Sequence, residues 1–198
     1  MRLLSWNCRG LGNPCIVLEL LLLIKEQALS ILFLSETRLD SVGMEWLRVK
    51  TKCVGAFCFP WVVTGGGLAM LWTDRMKMQL NTFSRNHIDA MVLDKDSGKE
   101  FRLTGFYGNV EIHRRKESWA LLKHLRHSSS SSWLCVGDFN EALDSSEVQG
   151  QRDCPLWQIQ DFKDAMAYIE LHDLGFVGHS FTWRNKRDQS GFVTARLD

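Results

Sequence analysis

The chemistry in this chain gathers in polar residues that follow short apolar runs. Asn7 follows Leu3–Trp6, Glu36 follows Ile31–Leu34, and Tyr107 follows Leu103–Phe106. Asp138 and Asn140 follow Leu134–Val136. Where sheets stack, strand ends of this kind can converge on one rim, and such rims are where ligands sit. One carboxylate and one amide can hold a hard, oxygen-seeking cation such as Mg²⁺ or Mn²⁺, which keeps waters and binds phosphate. A second carboxylate can activate water, and a tyrosine hydroxyl and an asparagine amide can donate to phosphate oxygens. Together these residues form a kit for hydrolysing a phosphate ester. Taken singly, Asn and Asp after a strand are turn formers, so the reading rests on the set.

Other chemistries find less support. Gly65-Gly66-Gly67 lacks the Lys-Ser/Thr of a P-loop and the spacing of a dinucleotide fingerprint, so it reads as a turn before a strand. Ser35 and Ser180 have no nucleophile-elbow glycines around them. Six cysteines fall at 8, 15, 53, 58, 135 and 154, with no CxxC pair and no nearby histidine to complete a zinc knuckle. They read as buried free thiols and point to a reducing compartment. Met70, Met76, Met78 and Met91 read as core fillers.

Composition bounds these readings. The chain has 198 residues, 45% hydrophobic and 24% charged, which is ordinary globular usage for one domain. Lys plus Arg number 24 and Asp plus Glu 23, so bulk charge does not draw the chain to polyanions. Any nucleic-acid contact must be local. His113-Arg114-Arg115-Lys116 at a helix start reads as a solvated face, and a second basic cluster is Arg184, Lys186 and Arg187, within Trp183–Phe192. Its bland reading is a solvated turn. The longest apolar stretch, Val17–Ile24, is interrupted by Glu19 and is too short for a membrane span of roughly 20 residues. A soluble intracellular monomer with no membrane association is expected.

The elements that must position these residues follow from punctuation and periodicity. A strand over Arg2–Trp6 meets a turn, and Asn13-Pro14 caps a helix reaching about Gln27. A buried strand Ile31–Leu34 precedes a helix from Asp40 to about Lys52. Short runs at Ala56–Trp61, Gly67–Trp72, Lys77–Phe83, Ile88–Leu93 and Phe101–Phe106 form a meander, with Asp94–Gly98 as a hairpin turn. Helices from Glu111 to about His127 and from Pro155 to about Leu171 flank a strand at Trp133–Val136. Phe181–Arg184 and Phe192–Leu197 suggest a closing hairpin around 185–191. The order fits an α/β or α+β fold with mixed sheets flanked by helices.

One ordered set of motifs narrows the reading. SWNCRGLGN at 5–13, LSETR at 34–38, GGGLAMLW at 65–72, LTGFYG at 103–108, WLCVGDFNE at 133–141, GHSFTW at 178–183 and ARLD at 195–198 together closely resemble the endonuclease/exonuclease/phosphatase superfamily. More narrowly, they are similar to the endonuclease domain of LINE-type non-LTR retrotransposon polyproteins, of the sort common in plant genomes. The resemblance covers essentially the whole chain. It implies a four-layer α/β sandwich of the DNase I-like kind, with two mixed β-sheets flanked by helices. It also implies divalent-metal-dependent cleavage of a DNA phosphodiester and, in the parent polyprotein, a reverse transcriptase domain. A working copy is then expected in the nucleus.

By motif, the resemblance places Asn7 and Glu36 at the metal and Tyr107 on the scissile phosphate. It gives Asp138 the attacking water, and Asn140 the phosphate as negative charge builds. Asp198 would match the aspartate that supports a catalytic histidine. Relatives that repair abasic DNA often carry an acidic residue where this chain has Arg9, which favours a phosphate contact there. In the relatives, a hairpin equivalent to Trp183–Phe192 lies beside the cleft. The family closes with a further strand and a Ser-Asp-His motif, whereas this chain stops at Asp198, and His179 is a poor substitute. An incomplete domain with impaired nicking is therefore expected. The competing readings are an inactive remnant and a superfamily phosphatase or exonuclease acting on nucleotides, RNA or inositol phosphates.

Overall fold

The computed structural model describes residues 1–60, 66–127, 131–150, 155–184 and 193–197. These fall into two compact units, Met1–Tyr107 with Ser131–Asp138, and Gly108–Ser130 with Phe139–Asp198.

The first unit begins with β1 (Leu3–Asn7) and α1 (Pro14–Gln27). The Asn13 side chain accepts the Cys15 N–H, and Pro14 opens the helix where no N–H is needed. β2 (Ile31–Ser35) is buried throughout, and α2 (Ser41–Lys50) is capped by Asp40, which accepts the Gly43 N–H at 2.8 Å. β3 (Gly55–Phe59) and β4 (Leu68–Trp72) complete a mixed sheet in the order β1-β2-β4-β3, with β1 and β2 parallel. β5 (Met76–Ser84), β6 (His87–Asp94), β7 (Lys99–Tyr107) and β8 (Trp133–Asp138) form a second mixed sheet in sequence order. Its last pair, β7 and β8, is parallel.

Strand alternation sorts the cores. Leu32 and Leu34 of β2 join Leu4, Trp6, Ala69 and Leu71 in packing against Val17 and Leu20 of α1 and Met44 and Leu47 of α2. Ile31 and Phe33, on the opposite face of β2, pack with Leu3, Met70, Ile88, Val92, Leu103, Leu134 and Val136. The two sheets therefore face each other across one apolar core, and the two helices cover the outer face of the first sheet. Gly105 on β7 lets the sheets approach closely, since a Cβ there would sit 2.1 Å from the Phe33 ring. The expected α/β class with two mixed sheets and helices is what the chain forms.

The second unit holds α3 (Arg115–Arg126) and α4 (Leu156–Ile169), with Trp119 stacked on Phe162 at 4.5 Å between ring centroids. The expected helix from Glu111 opens instead as a 3-10 turn over Ile112–Arg114, and the α-helix proper begins at Arg115. A three-stranded sheet of β9 (Val148–Gly150), β10 (Trp183–Arg184) and β11 (Val193–Ala195) runs in the order β10-β11-β9. β10 and β11 pair antiparallel as the closing hairpin requires, while the expected turn at 185–191 lies outside the described residues. β9 was not expected, because three residues with one apolar side chain carry no periodicity. The described cysteines 8, 15, 53, 58 and 135 are free thiols; Cys8 and Cys53 are buried as expected, whereas Cys15 is exposed on the first turn of α1 and Cys58 and Cys135 are half-buried. Among the described residues, no helix is long and apolar enough to cross a membrane.

Candidate active site

Four strand ends of the first unit meet. β1 and β2 run parallel in register with Asn7 opposite Ser35, and β7 and β8 run parallel with Tyr107 opposite Asp138. Asn7 lies on the Leu3 face of β1, Tyr107 on the Leu103 face of β7 and Asp138 on the Leu134 face of β8. These are the faces that the two sheets turn toward each other. The Asn7 Nδ2 group donates to Glu36 Oε1 at 2.8 Å and to Asp138 Oδ2 at 3.0 Å. The Tyr107 hydroxyl donates to the same Glu36 Oε1 at 2.9 Å. All four side chains are half-buried, so the cluster is reachable from solvent.

Backbone strain aims the carboxylate. Glu36 has φ 54°, a left-handed conformation that few L-residues adopt without support. Support comes from the segment before β4: Thr37 N–H donates to Gly67 O at 3.2 Å and Arg38 N–H to Gly66 O at 2.9 Å. Gly66 must be glycine, since a Cβ there would stand 2.8 Å from Glu36 Cα and Cγ. Gly66 and Gly67 thus serve close backbone approach. Arg38, also left-handed at φ 53°, places Nη2 3.6 Å from Glu36 Oε2. Sequence reasoning read LSETR for its Glu36 and passed over this arginine.

Behind the site, Cys8 is buried and its thiol donates to Ser35 O at 3.1 Å. Burial is the main reason its pKa is pushed up to about 11. It holds β1 against β2 as a neutral thiol.

The remaining expected residues are placed as follows. Arg9 is exposed at φ 50°, and its backbone N–H donates to Asn7 Oδ1 at 3.3 Å. That bond orients the Asn7 amide. Asn140, in the second unit, has φ 56° and donates from Nδ2 to Gly108 O at 2.9 Å. Its assignment to phosphate rests on its motif. Arg184 is exposed on β10, and His179 is exposed. Lys186, Arg187 and Asp198 lie outside the described residues.

The donor set suits a hard divalent cation. Glu36 Oε1 and Asp138 Oδ2 accept from one nitrogen, so the two carboxylates lie close enough to share one ion, while the Asn7 amide oxygen is turned to the Arg9 N–H. Among the described residues there is no group of three or more His, Cys, Asp or Glu placed to hold a metal ion. The site is therefore built from two carboxylates and an amide.

The endonuclease/exonuclease/phosphatase family profile matches residues 4–198. No curated protein sequence matches the chain. Among solved structures, the endonuclease domain of TRAS1, a telomere-specific non-LTR retrotransposon, superposes with a TM-score of 0.64 at 13% identity, over 98% of this chain and 84% of that one. An AP endonuclease from Leishmania major gives 0.67 at 13% identity, over 97% and 78%. A Neisseria 3′ phosphatase bound to a product DNA hairpin gives 0.64 at 17% identity, over 98% and 86%. At these identities the structures establish the shared fold.

Proposed function

The chain belongs to the endonuclease/exonuclease/phosphatase family, and from that premise we propose that it is a Mg²⁺- or Mn²⁺-dependent phosphodiesterase that nicks DNA, of retroelement origin. The observation that carries this reading is the convergence of Glu36, Asn7, Tyr107 and Asp138 through hydrogen bonds of 2.8–3.0 Å. The retroelement origin, with a reverse transcriptase in the parent polyprotein, rests on the ordered motif series of the sequence, and the TRAS1 endonuclease domain shares the fold.

In this reading Glu36 would hold the cation, with Asn7 as its partner if the amide rotates to turn its oxygen from the Arg9 N–H toward Glu36. A bound divalent ion supplies charge to the phosphate and acidifies water. The Asp138 carboxylate, on the opposite sheet, orients the attacking water and accepts its proton. The Tyr107 hydroxyl, which donates to Glu36 here, would donate instead to a phosphate oxygen when substrate is bound, freeing that Glu36 oxygen. Arg9 and Arg38 flank this end of the unit with positive charge suited to a DNA backbone. Asn140 and Asp198 enter by motif, Asn140 as a phosphate donor.

The test is nicking of supercoiled plasmid DNA with Mg²⁺ or Mn²⁺, with and without chelator. Cleavage should vanish on chelation and fall by about 10²–10⁴-fold in Asp138→Ala, the loss typical of removing a general base; Glu36→Ala should abolish it. Cleavage that survives chelation, or that persists in Glu36→Ala, refutes the assignment. Turnover of small phosphate monoesters with an intact plasmid would move the chain to the phosphatase side of its family. No turnover of either would identify an inactive remnant.

A further inference from the structure

We propose that Asn86 is a positioning residue for Tyr107, acting as a clamp on both polar groups of its backbone. The proposal deepens the reading of Tyr107 as a phosphate donor and rests on it. The β6–β7 ladder pairs His87 with Phe106, so the next rung would pair Asn86 with Tyr107. Half of that rung is ordinary: Tyr107 N–H donates to Asn86 O at 2.8 Å. The other half is not. The Asn86 backbone N–H turns to Ser84 Oγ at 3.1 Å, which takes it out of the ladder. Its side chain replaces it, with Nδ2 donating to Tyr107 O at 2.7 Å.

A carboxamide one methylene from the backbone is the group that reproduces this bond. Aspartate of the same shape has no donor, and alanine has neither reach nor donor. Unreplaced, the Tyr107 carbonyl would lack the rung acceptor bond that fixes the plane of the last peptide of β7. Tyr107 is the last residue of its strand, and its hydroxyl must meet Glu36 Oε1 at 2.9 Å. The clamp therefore sets the Cα–Cβ direction from which the phenol reaches the site. The turn carrying Asn86 is itself fixed, because the His87 ring sits between Ser84 Oγ at 2.8 Å and Thr82 Oγ1 at 3.0 Å.

The first readout needs no turnover. The chain has two tyrosines, 107 and 168, so 3-fluorotyrosine labelling gives two ¹⁹F resonances, assigned with Tyr168→Phe. In Asn86→Ala and in Asn86→Asp, the Tyr107 resonance should shift and broaden, as it should in Glu36→Gln, while the Tyr168 resonance stays in place. An unmoved Tyr107 resonance in a folded variant overturns the proposal. So does failure of both variants to fold, which would make Asn86 a general stability residue. The second readout is a cycle on plasmid nicking. Asn86→Ala should lower kcat about tenfold with little change in KM, as loss of one aligned hydrogen bond would, and should cost nothing further on a Tyr107→Phe background. Additive losses show that Asn86 does not act through the phenol. Absence of cleavage by the unaltered chain refutes the function proposed above, while the fluorine result still decides the clamp.

Discussion

The polar network in the second sheet offers a stability test with a large expected effect. Arg102 and Asp89 are each 1% exposed, and Arg102 Nε donates to Asp89 Oδ1 at 2.8 Å. Thr104 Oγ1 donates to the same oxygen at 2.5 Å, and Asn81 Nδ2 donates to Oδ2 at 3.0 Å. Trp133 Nε1 donates to Thr104 Oγ1 at 2.8 Å, and its ring lies under the Arg102 guanidinium at 4.9 Å. One carboxylate thus ties together β5, β6 and β7, and through Thr104 also β8. Replacing one partner strands a buried charge, which typically costs about 3–5 kcal/mol. Arg102→Met and Asp89→Leu should each lose that much in urea unfolding followed by circular dichroism. At about 2–4 °C per kcal/mol for a chain of this size, melting should fall by roughly 6–20 °C. The double variant removes both desolvation costs but leaves the Thr104 hydroxyl without its acceptor, about 1–3 kcal/mol. It should therefore lie well above the sum of the singles, with a coupling of about 3 kcal/mol. Singles that cost under about 1 kcal/mol, or a double equal to their sum, refute the claim that this pair locks the sheet.

Three further outcomes are expected. Gly66→Ala should reduce plasmid nicking by more than about tenfold, because its Cβ would meet Glu36 at 2.8 Å, whereas Gly12→Ala, with nothing within 4 Å, should leave rates unchanged; equal rates for the two would refute the close-approach argument. The Cys8 thiol, raised from 9.0 to about 11, keeps its proton in the folded chain after the unfolded chain has lost it. Its contribution is intact below pH 9 and is lost as pH rises toward 11, by about 2–3 kcal/mol, and Cys8→Ala should flatten that slope in urea titrations. Replacing Arg184, Lys186 and Arg187 together with Ala should lower the salt slope of DNA binding by about 2–3, and an unchanged slope would leave the cluster no role in binding.

Much of the fold was legible because its punctuation is local. Asn13-Pro14 and Asp40 mark helix starts by side-chain acceptors that need no tertiary context. The apolar runs at Ile31–Leu34 and Leu68–Trp72 are buried strands because both of their faces are covered. What was not legible depends on distant partners. The 3-residue strand β9 exists through its pairing with β11. The burial of Asp89 and Arg102 comes from their meeting across β6 and β7, and neither residue signals burial in a sequence of ordinary charge content.

The site shows the same division at the level of single residues. Strand parity alone carries Asn7, Tyr107 and Asp138 inward, since Leu3, Leu103 and Leu134 lie an even number of residues before them on the same faces. Parity fails for Glu36. Ile31 and Phe33 face the opposing sheet and Leu32 and Leu34 face the helices, so continued alternation would send Glu36 to the helix side. Its φ of 54° ends the strand and turns the carboxylate back to Asn7 and Tyr107. That turn is held by Gly66 and Gly67, thirty residues away in sequence, through two backbone hydrogen bonds. The residue proposed to hold the metal is thus the one whose placement the local pattern misdirects. It is also the one whose strain the rest of the first sheet must hold, which is the distribution expected where strain serves a function rather than stability.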